Sequence, residues 1–274
     1  MSCIRGGNML KKLFIAVVCL ASLSALIAGK IHWDQKIKEA AVDALLEGSP
    51  VEAEAKELAS SETTPVNVDT LTANLPEDLA EKIQAKLASK ETIKFVVVGS
   101  KAVSEGEQGW PALLQQQLDT AYGEDVFDIV VKSYGDDHSV TVVQNQKQYE
   151  IAALQPDILL LEPFTLNDTG AVESENNQQS IEAIVYAVKQ SSPDAVIFLQ
   201  PPNPAYNVLY YSAQVAVLEA YAAEKGYYYL NHWASWPKPD SEELLQYIHK
   251  EDDTPNEKGH QLWADYLGNY FLSK

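Results

Sequence analysis

From Ile93 onward the chain alternates short, almost wholly apolar runs with longer stretches of helical periodicity, a pattern few folds accommodate. The apolar runs are Ile93–Val98, Phe127–Val131, Asp157–Leu161, Ala195–Leu199 and Tyr227–Leu230. A short run with little polar alternation reads as a strand buried on both faces, as parallel strands are. Helical patterns fill the gaps at Trp110–Ala121, Val140–Leu154, Glu175–Lys189 and Ser212–Lys225. Each is long enough for a right-handed crossover between neighbouring parallel strands. The alternation predicts one α/β domain over 91–274 with a parallel sheet of about five strands.

Composition narrows the partners. The net charge of −19 argues against nucleic acid and against anionic lipid headgroups. The only cysteines, Cys3 and Cys19, lie ahead of the predicted domain, so no disulfide framework is expected. No Cys pair or His-x-x-x-His spacing offers a zinc site, and neither metal nor cofactor is expected.

Residues 1–12 carry Arg5, Lys11 and Lys12 and no acid, and Leu13–Gly29 follows without a charge. Basic residues ahead of an apolar run are read by export machinery, with the amino end kept inside and everything after Lys30 outside. An uncleaved, membrane-spanning signal anchor over residues 1–30 is the preferred expectation. A cleaved signal is the alternative, although Leu26-Ile27-Ala28 lacks the usual small-residue cleavage site and Val18 is a poor neighbour for a lipoprotein Cys19. Met9 offers a second possible start. Residues 31–90 are acidic and helix-prone, broken at Gly48-Ser-Pro50 and Ser60–Pro65, with an amphipathic helix expected over Leu75–Leu87. They read equally as a helical stalk or as a disordered linker.

A parallel sheet gathers the loops that follow its strands at one edge, where open α/β sheets bind ligands. The loops here carry Gly99-Ser100, then Ser133-Tyr-Gly135 with Asp136-Asp137, then Glu162-Pro-Phe-Thr-Leu-Asn167-Asp168. The final segment, Glu251-Asp-Asp-Thr-Pro-Asn-Glu-Lys-Gly-His260, precedes a last helix ending near Leu272. In this order and on these elements, the residues resemble the blocks of the SGNH/GDSL hydrolase superfamily. Val98-Gly99-Ser100 resembles the first block, Gly135 the second and Asn167-Asp168 the third. Pro255-Asn256 with Gly259-His260 and Trp263-Ala264 resembles the tail of the fourth. The resemblance implies a flavodoxin-like three-layer sandwich and hydrolysis of esters of carbohydrates, lipids or small molecules. It assigns Ser100 as nucleophile and Asn167 as oxyanion donor, helped by backbone amides at Ser100 and Gly135.

The departures are as specific as the matches. The family has Asp then Ser after its first glycine, where this chain has Ser100 then Lys101; Ser104 is a second serine further along the loop. Glu162-Pro163-Phe164 stands where the third block has its glycine, Thr254 stands where the catalytic His would be, and Glu251 replaces the Asp before it. Thr254-Pro255-Asn256-Glu257 reads instead as a capping box with Thr254 at the N-cap. A serine nucleophile needs a base within hydrogen-bond reach. The candidates are His260, His138, His232 and His249, each with a structural or solvated reading beside it, and the acids Asp252 and Asp253. The stiff Gln200–Pro204 loop with Tyr206, Tyr210 and Tyr211, and Trp233 with Trp236, read either as a sugar-stacking surface or as core cover.

Two functions remain open at this level, with a plain scaffold as a weaker third. One is a membrane-tethered extracytoplasmic esterase acting on ester-bearing envelope glycans, lipids or small molecules. The other keeps the crevice and binds a glycan, lipid or protein partner without cleaving it.

Overall fold

A computed structural model describes residues 68–274, all within one compact unit. Its sheet has five parallel strands in the order β2-β1-β3-β4-β5. They are β1 (Ile93–Gly99), β2 (Phe127–Ser133), β3 (Ile158–Leu161), β4 (Val196–Leu199) and β5 (Tyr228–Tyr229). Every expected strand is present, and the order is that of flavodoxin-like sheets. The chain steps from β1 outward to β2, then returns to the other side of β1 with β3. This reversal opens a crevice at the carboxyl ends of β1 and β3, which is where ligands bind in such sheets.

Burial on both faces explains why the central strands β1, β3 and β4 lack polar alternation. Phe95 and Val97 of β1 face one core, under α2 (Glu77–Ser89), α3 (Trp110–Tyr122) and α9 (Glu257–Phe271). Val96 and Val98 face the other, under α4 (Ser139–Gln144), α5 (Lys147–Ala152), α7 (Ser174–Ser191) and α8 (Tyr211–Lys225). A short α1 (Val68–Leu71) precedes these helices, and α6 (Thr165–Asp168) closes the loop after β3. The result is the expected three-layer α/β sandwich.

The structure departs from the sequence expectations at three places. Helix α2 buries Leu79 and Ile83 in the first core beside Phe95 and Trp110, so it belongs to the packed domain and not to a stalk. The helix expected over Val140–Leu154 is two helices, α4 and α5, broken at Gln146 with φ 59°. The left-handed residue at Gln146 turns the chain out of the first helix, so one helix is not sustained. Thr254 is not the last helix's cap: Asn256 is, its Oδ1 accepting from the amides of Lys258 and Gly259. Among the described residues no helix is long and apolar enough to cross a membrane. The expected anchor over Leu13–Gly29 lies outside the described residues.

Candidate active site

Ser100 sits just past the end of β1, beside the first residue after β3. There the Glu162 amide donates to the Val98 carbonyl at 2.8 Å, extending the ladder by one bond. The Glu162 side chain folds back across the strand end, so that its Oε2 accepts from the Ser100 amide at 2.7 Å and from the Ser100 hydroxyl at 2.6 Å. Its Oε1 accepts from the Phe164 amide at 2.7 Å. Only a glycine at position 99 allows this approach, because a Cβ there would stand 2.7 Å from Glu162 Oε2 and 2.6 Å from Val103 Cγ2. Glu162 is fully buried and Ser100 is 2% exposed. Burial pushes the Glu162 carboxyl up to about 7, against the donors of Ser100 and Phe164, and nearby Asp168 adds to the rise. The Ser100 oxygen also accepts from the Ala102 amide at 3.3 Å, so both its proton and a lone pair are engaged.

The second and third blocks meet at one carbonyl. Gly135, at φ 59° in the region glycine favours, turns its oxygen to accept from the Lys101 amide at 2.9 Å and from Asn167 Nδ2 at 3.1 Å. Asn167 Nδ2 also donates to the Asp137 carbonyl at 2.9 Å. The chain thus brings Ser100, Gly135 and Asn167 to one edge of the sheet. It does not leave them as an oxyanion hole. The Ser100 amide is held by Glu162, the Asn167 amide by two carbonyls, and the Gly135 amide lies 3.5 Å from Ser133 Oγ.

At the next position, Lys101 Nζ lies 2.8 Å from Asp136 and 3.5 Å from Asp252. The Asp136 hydrogen bond leads in raising the ammonium's pKa, so it stays protonated and is no nucleophile. Thr254 donates to the same Asp252 through its amide at 3.2 Å and its hydroxyl at 2.8 Å. Against a burial that works the other way, Thr254 and Lys101 hold the Asp252 carboxyl below the usual carboxylate range. The position after the first-block serine and the position of the family's His are therefore tied through one aspartate.

None of the candidate bases is bonded to Ser100 among the described residues. His260 accepts from the Trp110 amide through Nδ1 at 3.3 Å; burial first, and His249 second, push its imidazole down to about 4. His138 Nδ1 lies 3.4 Å from Asp168. Asp168 is itself buried, accepting from the Ser139 amide at 3.0 Å and from Asn177 Nδ2 at 2.8 Å, which ties the third block to α4 and α7. His232 is a core residue: it stacks 4.0 Å from Trp263, accepts from the Trp236 indole through Nδ1 and reaches the Pro201 carbonyl through Nε2. Since an indole nitrogen only donates, its proton sits on Nε2. Burial pushes His232 down to about 3. His249 is exposed beside the last block. Asp253, with φ 56°, accepts from Asn203 through its backbone carbonyl, and burial leads in raising its carboxyl pKa.

The aromatics after β4 and β5 mostly cover the core. Tyr211 and Trp236 are buried and the Trp233 indole donates to the Pro202 carbonyl, while Tyr210 alone stands 77% exposed. In the sequence Glu162 stands out only as a departure from a glycine. Its signal was a lone acid closing the four-residue apolar strand Ile158–Leu161.

Fold order, crevice and the meeting of the first three blocks define an SGNH-type hydrolase domain. The chain belongs to the GDSL-like lipase/acylhydrolase family, whose model matches residues 96–262. No curated protein matches it. A G-D-S-L-family lipolytic protein from Desulfitobacterium hafniense superposes with a TM-score of 0.55 at 21% identity, covering 65% of this chain and 99% of its own. A carbohydrate esterase family 3 structure from Talaromyces cellulolyticus gives 0.57 at 12%, covering 66% and 97%. An acetyl xylan esterase gives 0.51 at 13%, covering 64% and 98%. At these identities the likeness is one of fold.

Proposed function

We propose that this GDSL-family chain binds a carbohydrate ligand at the carboxyl edge of its sheet without hydrolysing it. One observation carries the reading: the Ser100 hydroxyl donates to a buried carboxylate, and the residue is 2% exposed. Nucleophilic attack needs a carbonyl carbon about 3 Å from the attacking oxygen, a base to take its proton and donors for the oxyanion. The enclosure of Ser100 leaves no approach for the carbonyl, and the Ser100 and Asn167 donors are held by protein acceptors, with the Gly135 amide 3.5 Å from Ser133 Oγ. Such a crevice is left with ground-state binding, which does not lower a chemical barrier. The carbohydrate assignment draws support from fold neighbours described as a carbohydrate esterase and an acetyl xylan esterase. Residues 13–29 would tether the domain on the outer side of a membrane; detergent-dependent extraction with an intact amino end tests this, and release into the medium contradicts it.

A second reading rests on a different observation. A carboxyl raised to about 7 and bonded to a serine hydroxyl at 2.6 Å has the pKa of a general base. In that reading Ser100 attacks an acyl ester and Glu162 takes its proton. Turnover of p-nitrophenyl acetate separates the two. Binding without cleavage predicts the buffer rate; a rate abolished by both Ser100→Ala and Glu162→Gln would establish the dyad instead.

A further inference from the structure

A groove of about 520 Å³ lies between the loop after β1 and the start of α9. Its lining includes Ser104, Gln108, Gln246, His249, Lys258 and His260. This is a hydroxyl, two carboxamides and two imidazoles with a single ammonium, and Glu257 on the same wall balances that charge. Phosphate or carboxylate recognition would call for clustered cations, and acyl-chain recognition for a contiguous aliphatic wall. Sugar hydroxyls both donate and accept, as the carboxamides do. Asn256 takes no part, because its side chain caps α9 and donates to the Gln246 carbonyl.

His260 gives the groove a fixed polarity. Its Nδ1 accepts from the Trp110 amide, so the neutral ring carries its proton on Nε2 and presents a donor. We infer that this groove is the carbohydrate subsite and takes a neutral oligosaccharide, with His260 Nε2–H donating to a sugar oxygen and Gln108 and Gln246 gripping hydroxyls. The inference rests on the carbohydrate reading above and places its ligand. Since burial holds the His260 imidazole down to about 4, the donor keeps one form across the physiological range.

The test titrates the purified chain with xylotetraose, cellotetraose and chitotetraose, with inorganic phosphate as the charged comparison. Binding is followed by calorimetry and by the ¹⁵N resonances of the His260 ring. The expected result is that at least one neutral tetraose binds and shifts His260 Nε2, while phosphate does not. The His260→Phe variant and the exposed pair Gln108→Ala/Gln246→Ala then each weaken binding by roughly three- to tenfold, as loss of one or two hydrogen bonds does. The double variant, on the rim, guards against a folding defect at position 260. Binding of phosphate in preference, no binding of any tetraose, or affinity unchanged in both variants overturns the assignment. Ester turnover is a separate readout, so a cleaving protein that still binds here refutes the non-hydrolysing reading alone.

Discussion

Ser100 and Glu162, on the loops following adjacent parallel strands, form a buried hydroxyl–carboxylate pair 2.6 Å apart, with no cation bonded to either side chain among the described residues. Where the family places a carboxyl on the first-block loop, this chain has a hydroxyl, and the carboxyl comes from the neighbouring strand. Folding of this pair should therefore depend on pH in a defined direction. The folded pKa of about 7 is above the ordinary 4.5, so the native state binds the proton more tightly than the unfolded chain. Stability from this group is fully present below about pH 4.5 and is lost as pH rises through 7. The shift corresponds to roughly 3 kcal/mol. Urea midpoints at pH 5, 6, 7 and 8 for the native chain, less those for Glu162→Gln, should fall across that window.

Gly99 should tolerate no side chain. A Cβ would press into both Val103 and the Glu162 carboxylate, and neither can retreat from a packed core. Gly99→Ala is expected to cost about 1–3 kcal/mol, as overpacking does. Chemical denaturation measures it, and a neutral outcome would mean Glu162 does not sit against the β1 turn.

Asn167 has a structural role in this account. Its amide holds the Gly135 and Asp137 carbonyls; Gly135 keeps the Lys101 amide, so Asn167→Ala should lower stability by about 1 kcal/mol, chiefly through the Asp137 carbonyl. Thermal unfolding checks the loss. Unchanged stability would point to a side chain free for a ligand's oxyanion.

His232 should remain neutral far below the usual imidazole range, because burial opposes charge, and the Trp236 indole occupies Nδ1. Its depressed folded pKa means that the unfolded chain binds the proton first. Stability from His232 is therefore present above about pH 6.5 and is lost as pH falls toward 3. Long-range ¹H–¹⁵N spectra should show a single Nε2–H tautomer persisting at pH 5; a charged ring there contradicts the core placement.

Most of the fold was legible because burial on both faces leaves an unmistakable mark on a parallel strand. Phe95 and Val97 look one way and Val96 and Val98 the other, so neither face takes a polar residue between 95 and 98. The gathering of Ser100, Gly135 and Asn167 at one edge was legible too, because connectivity alone places those loops together. What sequence could not convey is where hydrogen bonds end. Nothing in the composition of Asn167-Asp168 says that the amide turns to two backbone carbonyls, and nothing in Glu162-Pro163 says that the carboxylate folds back across β1. The Thr254 capping box failed for a similar reason. Asp252 competes for the Thr254 hydroxyl, and Asn256 caps the helix two residues later.

The central claim is that the Ser100 hydroxyl is sealed against Glu162 and unavailable to substrate. Incubation of the intact chain with a fluorophosphonate, followed by peptide mass spectrometry, addresses it directly. An unlabelled Ser100 after prolonged exposure at pH 7–8 is the predicted result, whereas stoichiometric phosphonylation of Ser100, lost in Glu162→Gln, would contradict it.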